Sequence, residues 1–174
     1  MILNLKLVKI DSKYCDYLRQ FDNKVMYNMN SKELRPFVGV LFKVNDYEYF
    51  APLSSPKAKH LKMRNTVDFY KIDGGLLGAI NFNNMIPVKK DYYKIIYFDE
   101  KKSNKLEEKY YELLKDQITW LNENYIQVMS KAYKLYDLYN NGKLCKNMIN
   151  RCCNFKLLEE KCELYDDDMM EVSV

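Results

Sequence analysis

The stretch FVGVLFKVNDYEYFAPL, residues 37–53, decides the fold. Two runs rich in aromatic and β-branched residues, 37–44 and 47–53, flank Asn45-Asp46, a pair that turns tightly. The stretch predicts a β-hairpin. Upstream, LNLKLVKI (3–10) alternates as a strand does, and DSKYCDYLRQFD (11–22) reads as a short helix. Asp11 is its N-cap, and Tyr14, Tyr17, Leu18 and Phe21 recur along one face. The Asn-rich residues 22–36 read as a loop closed by Pro36. Downstream, TVDFYKI (66–72), LLGAINF (76–82, after the Gly74-Gly75 turn) and MIPV (85–88) read as further short strands.

Beyond about residue 100 the apolar period changes to 3.6. A helix is predicted over roughly 103–125, capped by Ser103, with Leu106, Tyr110, Leu113, Leu114, Ile118, Leu121 and Tyr125 on one face. A second covers 127–140, with Val128, Ala132, Leu135, Tyr136 and Tyr139 inward and Gly142 as its stop. A third covers 154–165, with Phe155, Leu158, Cys162 and Tyr165 along one side, and the tail 167–174 frays. Strands first and long helices last predict an α+β fold, an antiparallel sheet or half-open barrel covered by helices. The expected organisation is one domain over 1–174, with a sheet-rich, basic part (1–90) and a helical part (100–166).

The chain is 48% hydrophobic and 30% charged, its apolar runs are too short to span a bilayer, and its start lacks the pattern of a secretory signal. These features predict a cytoplasmic protein. The five cysteines (15, 145, 152, 153, 162) form no C-x-x-C, and the single His60 lies far from most of them in sequence, which argues for reduced thiols and against a zinc site. Residues 1–90 hold 15 Lys and Arg against 8 Asp and Glu, a surplus of seven; residues 91–174 hold 13 against 16, a deficit of three. The basic half coincides with the strands, so an anionic ligand is expected on the sheet and its loops.

The candidate site lies in YFAPLSSPKAKHLKMRN, residues 49–65, where no acid occurs between Glu48 and Asp68. Pro56 ends a strand because it cannot donate to a ladder. Ser54 and Ser55 then sit at the strand end. If the backbone stays extended, Ser55 and Lys57 share one side. A hydroxyl and an ammonium aimed at one point suit a phosphate. Lys59, His60, Lys62 and Arg64 extend the anion path in what reads as a loop. The common nucleotide loops G-x-x-x-x-G-K-[ST] and G-x-G-x-x-G are missing, as is an acidic cluster suited to magnesium or a second histidine. A nuclease built this way would need no metal or other cofactor. From the residues alone, a nuclease, a non-enzymatic RNA-binding protein and a structural interaction module stand level.

The segments SKYCDYLRQFDNKV (12–25), RPFVGVLF (35–42), YFAPLSSPKAKH (49–60), LGAINFNNMIPV (77–88) and CNFKLLEEKCELY (153–165), in this order, resemble the ToxN/AbiQ family, endoribonuclease toxins of type III toxin–antitoxin systems. The resemblance implies a strongly bent antiparallel sheet related to the MazF/Kid-type toxins, with added helices. It implies metal-independent cleavage of RNA by attack of the ribose 2′-hydroxyl, leaving a 2′,3′-cyclic phosphate and a 5′-hydroxyl. It further implies an RNA antitoxin of small pseudoknot repeats that the toxin cuts from a precursor, and a role in phage abortive infection or plasmid maintenance. Residue by residue, Ser55 matches the family's active-site serine and Lys57 the lysine two positions on. Ser54 stands where relatives often carry threonine. Tyr14 matches a tyrosine lining the site, and Tyr27 a second one. Arg35 stands where relatives can carry lysine; arginine clamps phosphate better and gives up a proton less readily. His60 matches in position only.

Overall fold

The expected hairpin forms between β3 (Lys43–Val44) and the start of β4 (Tyr47–Ser54), turning through Asn45 at φ 51°. Asn tolerates that left-handed conformation better than other side chains. The first arm, however, is two strands. β2 (Phe37–Gly39) pairs Val38 with Ala51, β3 pairs Lys43 with Glu48, and so residues 39–42 lie opposite only residues 49–50. Such a bulge bends a strand and increases its twist. The Phe50 ring packs against Gly39 so closely that any Cβ there would overlap it, which explains a glycine inside a strand. The structure, a computed structural model, describes residues 4–26, 36–98 and 105–165.

All strand pairs are antiparallel. With β1 (Lys6–Ile10), β5 (Phe69–Lys71), β6 (Ala79–Asn81), β7 (Ile86–Val88) and β8 (Tyr93–Ile95), they form one open sheet in the order β5-β6-β4-β2-β1-β8; β3 and β7 also pair with β4. β4 is therefore covered along both edges, by β2 and β3 on one and by β7 and β6 on the other. The β7 ladder stops at Phe50 and the β6 ladder begins at Leu53. Pro52 falls in the gap. Leu53 donates its N–H to Pro36 O on the β2 side (3.0 Å), so the N–H that Pro52 lacks would have faced the gap. β8 was not expected, because three residues are too few to show a period.

The helices follow their expected order. α1 (Ser12–Phe21) is capped by Asp11, whose Oδ1 accepts the Tyr14 N–H at 3.1 Å. The basic stretch expected to be a loop contains a short helix, α2 (Ala58–Lys62). α3 (Lys105–Glu123) and α4 (Tyr125–Asn140) meet at Asn124, and the unexpected α5 (Lys146–Arg151) buries no residue and so left no amphipathic signal. α6 (Phe155–Leu164) is capped by Asn154. On α3, Leu114 and Leu121 face inward with Gln117 between them, whereas Leu106, expected inside, is 81% exposed. The Glu159 Oε1 accepts hydrogen bonds from the hydroxyls of Tyr49 and Tyr136, each at 2.7 Å, which ties α6 to β4 and α4. Sheet and helices share one core that includes Leu7, Phe50, Leu121, Leu135 and Leu158. Cys15, Cys152, Cys153 and Cys162 are buried, Cys145 is exposed, and none of the five is in a disulfide. Ser103 and residues 167–174 lie outside the described residues.

Candidate functional site

β4 carries a nearly unbroken buried run from Tyr47 to Leu53 and ends at the half-buried Ser54, opposite Ala79 of β6. The Ser54 Oγ accepts a hydrogen bond from the Asn81 Nδ2 at 2.8 Å. Past Ser54 the chain leaves the sheet. Ser55, Pro56 and Lys57 are exposed, and Lys57 is extended (φ −141°, ψ 146°) before α2 begins. Serine hydroxyls and a lysine thus follow one another at the open end of the central strand.

Two close approaches support this end. Gly78, at φ 98°, presses on the backbone of Ser54 and Ser55, and Gly75, at φ 101°, lies against the backbone of His60. Neither conformation nor space would admit a larger residue. Behind them the buried Gln117 donates from Nε2 to the Leu77 carbonyl at 2.7 Å, holding the turn that carries Gly78.

α2 has one inward side chain, His60, which is buried with its ring 5.8 Å from that of Phe69. Its Nδ1 has no hydrogen-bond partner among the described residues. Burial, then Lys59 and Lys57, hold its pKa below the ordinary value, which favours the neutral ring. His60 was expected on the RNA path; with four exposed basic neighbours, it is the one position of the basic stretch whose side chain points into the fold. Lys57, Lys59, Lys62 and Arg64 are exposed and form no ion pair among the described residues. The first acid after them does not offset this charge. Asp68 is buried, and its Oδ2 takes the Arg151 Nε at 3.1 Å and Nη2 at 2.9 Å, while its Oδ1 accepts from the Thr66 hydroxyl at 2.7 Å.

Tyr14, expected to line the site, also points inward. It is fully buried on α1, donates its hydroxyl to the Pro87 carbonyl at 2.6 Å, and packs against Tyr92 and Tyr165. Burial raises its pKa. The hydroxyl is thus sealed from solvent and engaged with a backbone carbonyl. Arg35 and Tyr27 lie outside the described residues. The structure thus brings Ser54, Ser55 and Lys57 together in sequence at the β4 end with Lys59, Lys62 and Arg64 beyond, and it removes Tyr14 and His60 from the solvent. Sequence reasoning missed Asn81, Gly78 and Gln117. Asn81 left one local trace, a polar residue inside the apolar run GAINF.

Residues 6–163 match the model of the family described as toxin ToxN, type III toxin–antitoxin system. The chain is 37% identical over 168 residues to endoribonuclease ToxN of Bacillus thuringiensis subsp. kurstaki, covering 94% of this chain and 86% of that protein. Its fold matches a solved structure described as showing selective toxin inhibition by a non-coding RNA pseudoknot in bacterial type III toxin–antitoxin systems (TM-score 0.78, 35% identity, 95% of this chain and 99% of that one). It also matches AbiQ, described as a lactococcal anti-phage endoribonuclease of the type III toxin–antitoxin system (TM-score 0.77, 26% identity, 94% and 98%).

Proposed function

The chain belongs to the ToxN family of type III toxin–antitoxin toxins, and from that membership we propose that it is a metal-independent endoribonuclease toxin whose site is the β4 end. The observation that carries this reading is the run Ser54-Ser55-Pro56-Lys57 leaving the central strand into a basic stretch with no acid partner among the described residues. Lys57 and Arg35 hold the scissile phosphate and stabilise its developing charge. Ser55 hydrogen-bonds a phosphate oxygen or the attacking hydroxyl, and Ser54 assists. Lys59, Lys62 and Arg64 follow the strand's backbone, and Tyr27 offers a stacking face.

In the reaction the ribose O2′ forms a bond to phosphorus while the P–O5′ bond breaks. The 2′ proton passes to solvent and the leaving O5′ gains one, giving the 2′,3′-cyclic phosphate and the 5′-hydroxyl. None of these side chains is a strong base at neutral pH, so in-line positioning and charge stabilisation supply most of the rate. A pseudoknot RNA of small repeats, which the enzyme cuts from its precursor, occupies the same basic face as inhibitor and forms a protein–RNA hetero-oligomer. This is a single-domain cytoplasmic toxin of phage abortive infection or plasmid maintenance, with a sheet akin to the MazF/Kid type.

Expression of wild type and Ser55→Ala in a bacterium lacking the antitoxin RNA, with mapping of transcript ends, tests the reading. New 5′-hydroxyl ends and growth arrest with the wild type only are expected. Equal cleavage by Ser55→Ala overturns the site, and arrest without new ends favours RNA binding alone. Purified enzyme should keep its activity in EDTA.

A further inference from the structure

We propose that Asn81 is a positioning residue that fixes Ser54 as a hydrogen-bond donor to the non-bridging oxygens of the scissile phosphate. This rests on the reading of the β4 end as the cleavage site. The register that pairs Ser54 with Ala79 and Leu53 with Ile80 continues to place Asn81 opposite Pro52. No backbone donor meets Asn81 there, because Pro52 has none. The Asn81 side chain spans the gap instead. Its Nδ2 lies 3.4 Å from Pro52 O and 2.8 Å from Ser54 Oγ.

The pair of contacts settles the polarity. A backbone carbonyl only accepts, so the amide atom facing Pro52 O is the nitrogen. The same nitrogen faces Ser54, whose Oγ must then accept. A hydroxyl has a single proton, and that of Ser54 is directed away from Asn81 and meets no acceptor among the described residues. Half-buried at the strand end, it is ready to donate to an oxygen that only accepts. Non-bridging phosphate oxygens are such acceptors, and they gain charge as the 2′-oxygen attacks. A donor already oriented needs no reorganisation in that step.

The test uses total bacterial RNA to find a cut that the wild type makes, then an oligoribonucleotide spanning it for single-turnover rates. The same oligonucleotide with a 2′-deoxy sugar at the cut measures binding. Ser54→Ala should lower the rate by about 100-fold, the scale for deleting an oxyanion donor, and Asn81→Ala by about tenfold. Binding should change by less than about threefold, because the contact matters most in the transition state. On the Ser54→Ala background, Asn81→Ala should add less than about twofold. Asn81→Asp is nearly isosteric and keeps the test meaningful if the alanine variant does not fold. Its carboxylate would accept the Ser54 proton, and only its protonated form can donate. Its rate relative to wild type should therefore rise from about pH 8 to about pH 5. Additive losses in the double variant, or a pH-independent ratio for Asn81→Asp, overturn the role of Asn81 while leaving the cleavage site standing. Wild-type cleavage by Ser54→Ala removes Ser54 itself from the site and the proposal with it.

Discussion

Gly78 stands so close to Ser54 that a Cβ added to it would overlap the Ser54 carbonyl oxygen. One residue on, Ala79 is the register partner of Ser54, so the turn and the serine are placed by a single contact region. Gly78→Ala, at φ 98°, meets both strain and a clash. It should cost roughly 2–4 kcal/mol and abolish RNA cleavage. Gly74→Ala, at φ 62° with nothing within 4 Å of the added Cβ, should cost only about 1–2 kcal/mol and keep activity. Melting temperatures and cleavage rates of the two variants check this.

The basic stretch should act through charge. Lys59→Ala, Lys62→Ala and Arg64→Ala should each weaken RNA binding and reduce the slope of log K against log salt by about 0.7, the single-strand value per phosphate contact. Binding titrations across a range of salt concentrations read the slope directly. An unchanged slope would place these side chains away from the RNA.

His60 makes stability depend on pH. Its folded pKa lies below the ordinary 6.5 because burial and the neighbouring Lys59 and Lys57 oppose the charged form. Well above about 6.5 the ring is neutral in the folded and the unfolded chain, and its contribution is intact. Below it, the unfolded chain binds a proton that the folded chain does not, so stability falls with pH until the folded pKa is passed. The melting temperature should drop more between about pH 7.5 and about pH 5.5 in the wild type than in His60→Gln.

Thiol reactivity should report the fold. Burial pushes the Cys15 and Cys152 thiols up to about 12 and raises those of Cys153 and Cys162. Only the exposed Cys145 should react promptly in the native protein. A thiol titration should find one reactive group in buffer and five in denaturant; more than one in buffer would mean that the packing around α1 or the C-terminal helices opens.

Much of this was legible in the chain. The Asn45 turn, the Asp11 cap and the change to a 3.6 period after residue 100 are local signals, set by backbone sterics and side-chain spacing within a few residues. So was the basic stretch, since acids are missing over a continuous interval. The bulge at 39–42 was not, because it appears only when two registers on one strand are compared. Nor was α2, too short for a period and hidden in a run of lysines.

The sequence by itself determined the order of the longer strands and helices, the ToxN family and the serine–lysine run, because each is written in neighbouring residues. Only the tertiary structure decided what those residues can do. It turned His60 inward, sealed Tyr14 against the Pro87 carbonyl, neutralised Asp68 with Arg151, and set Asn81 against Ser54. Each depends on partners 27 to 83 positions apart or on a neighbour's packing, and no local period encodes which side chain a distant strand or helix brings alongside.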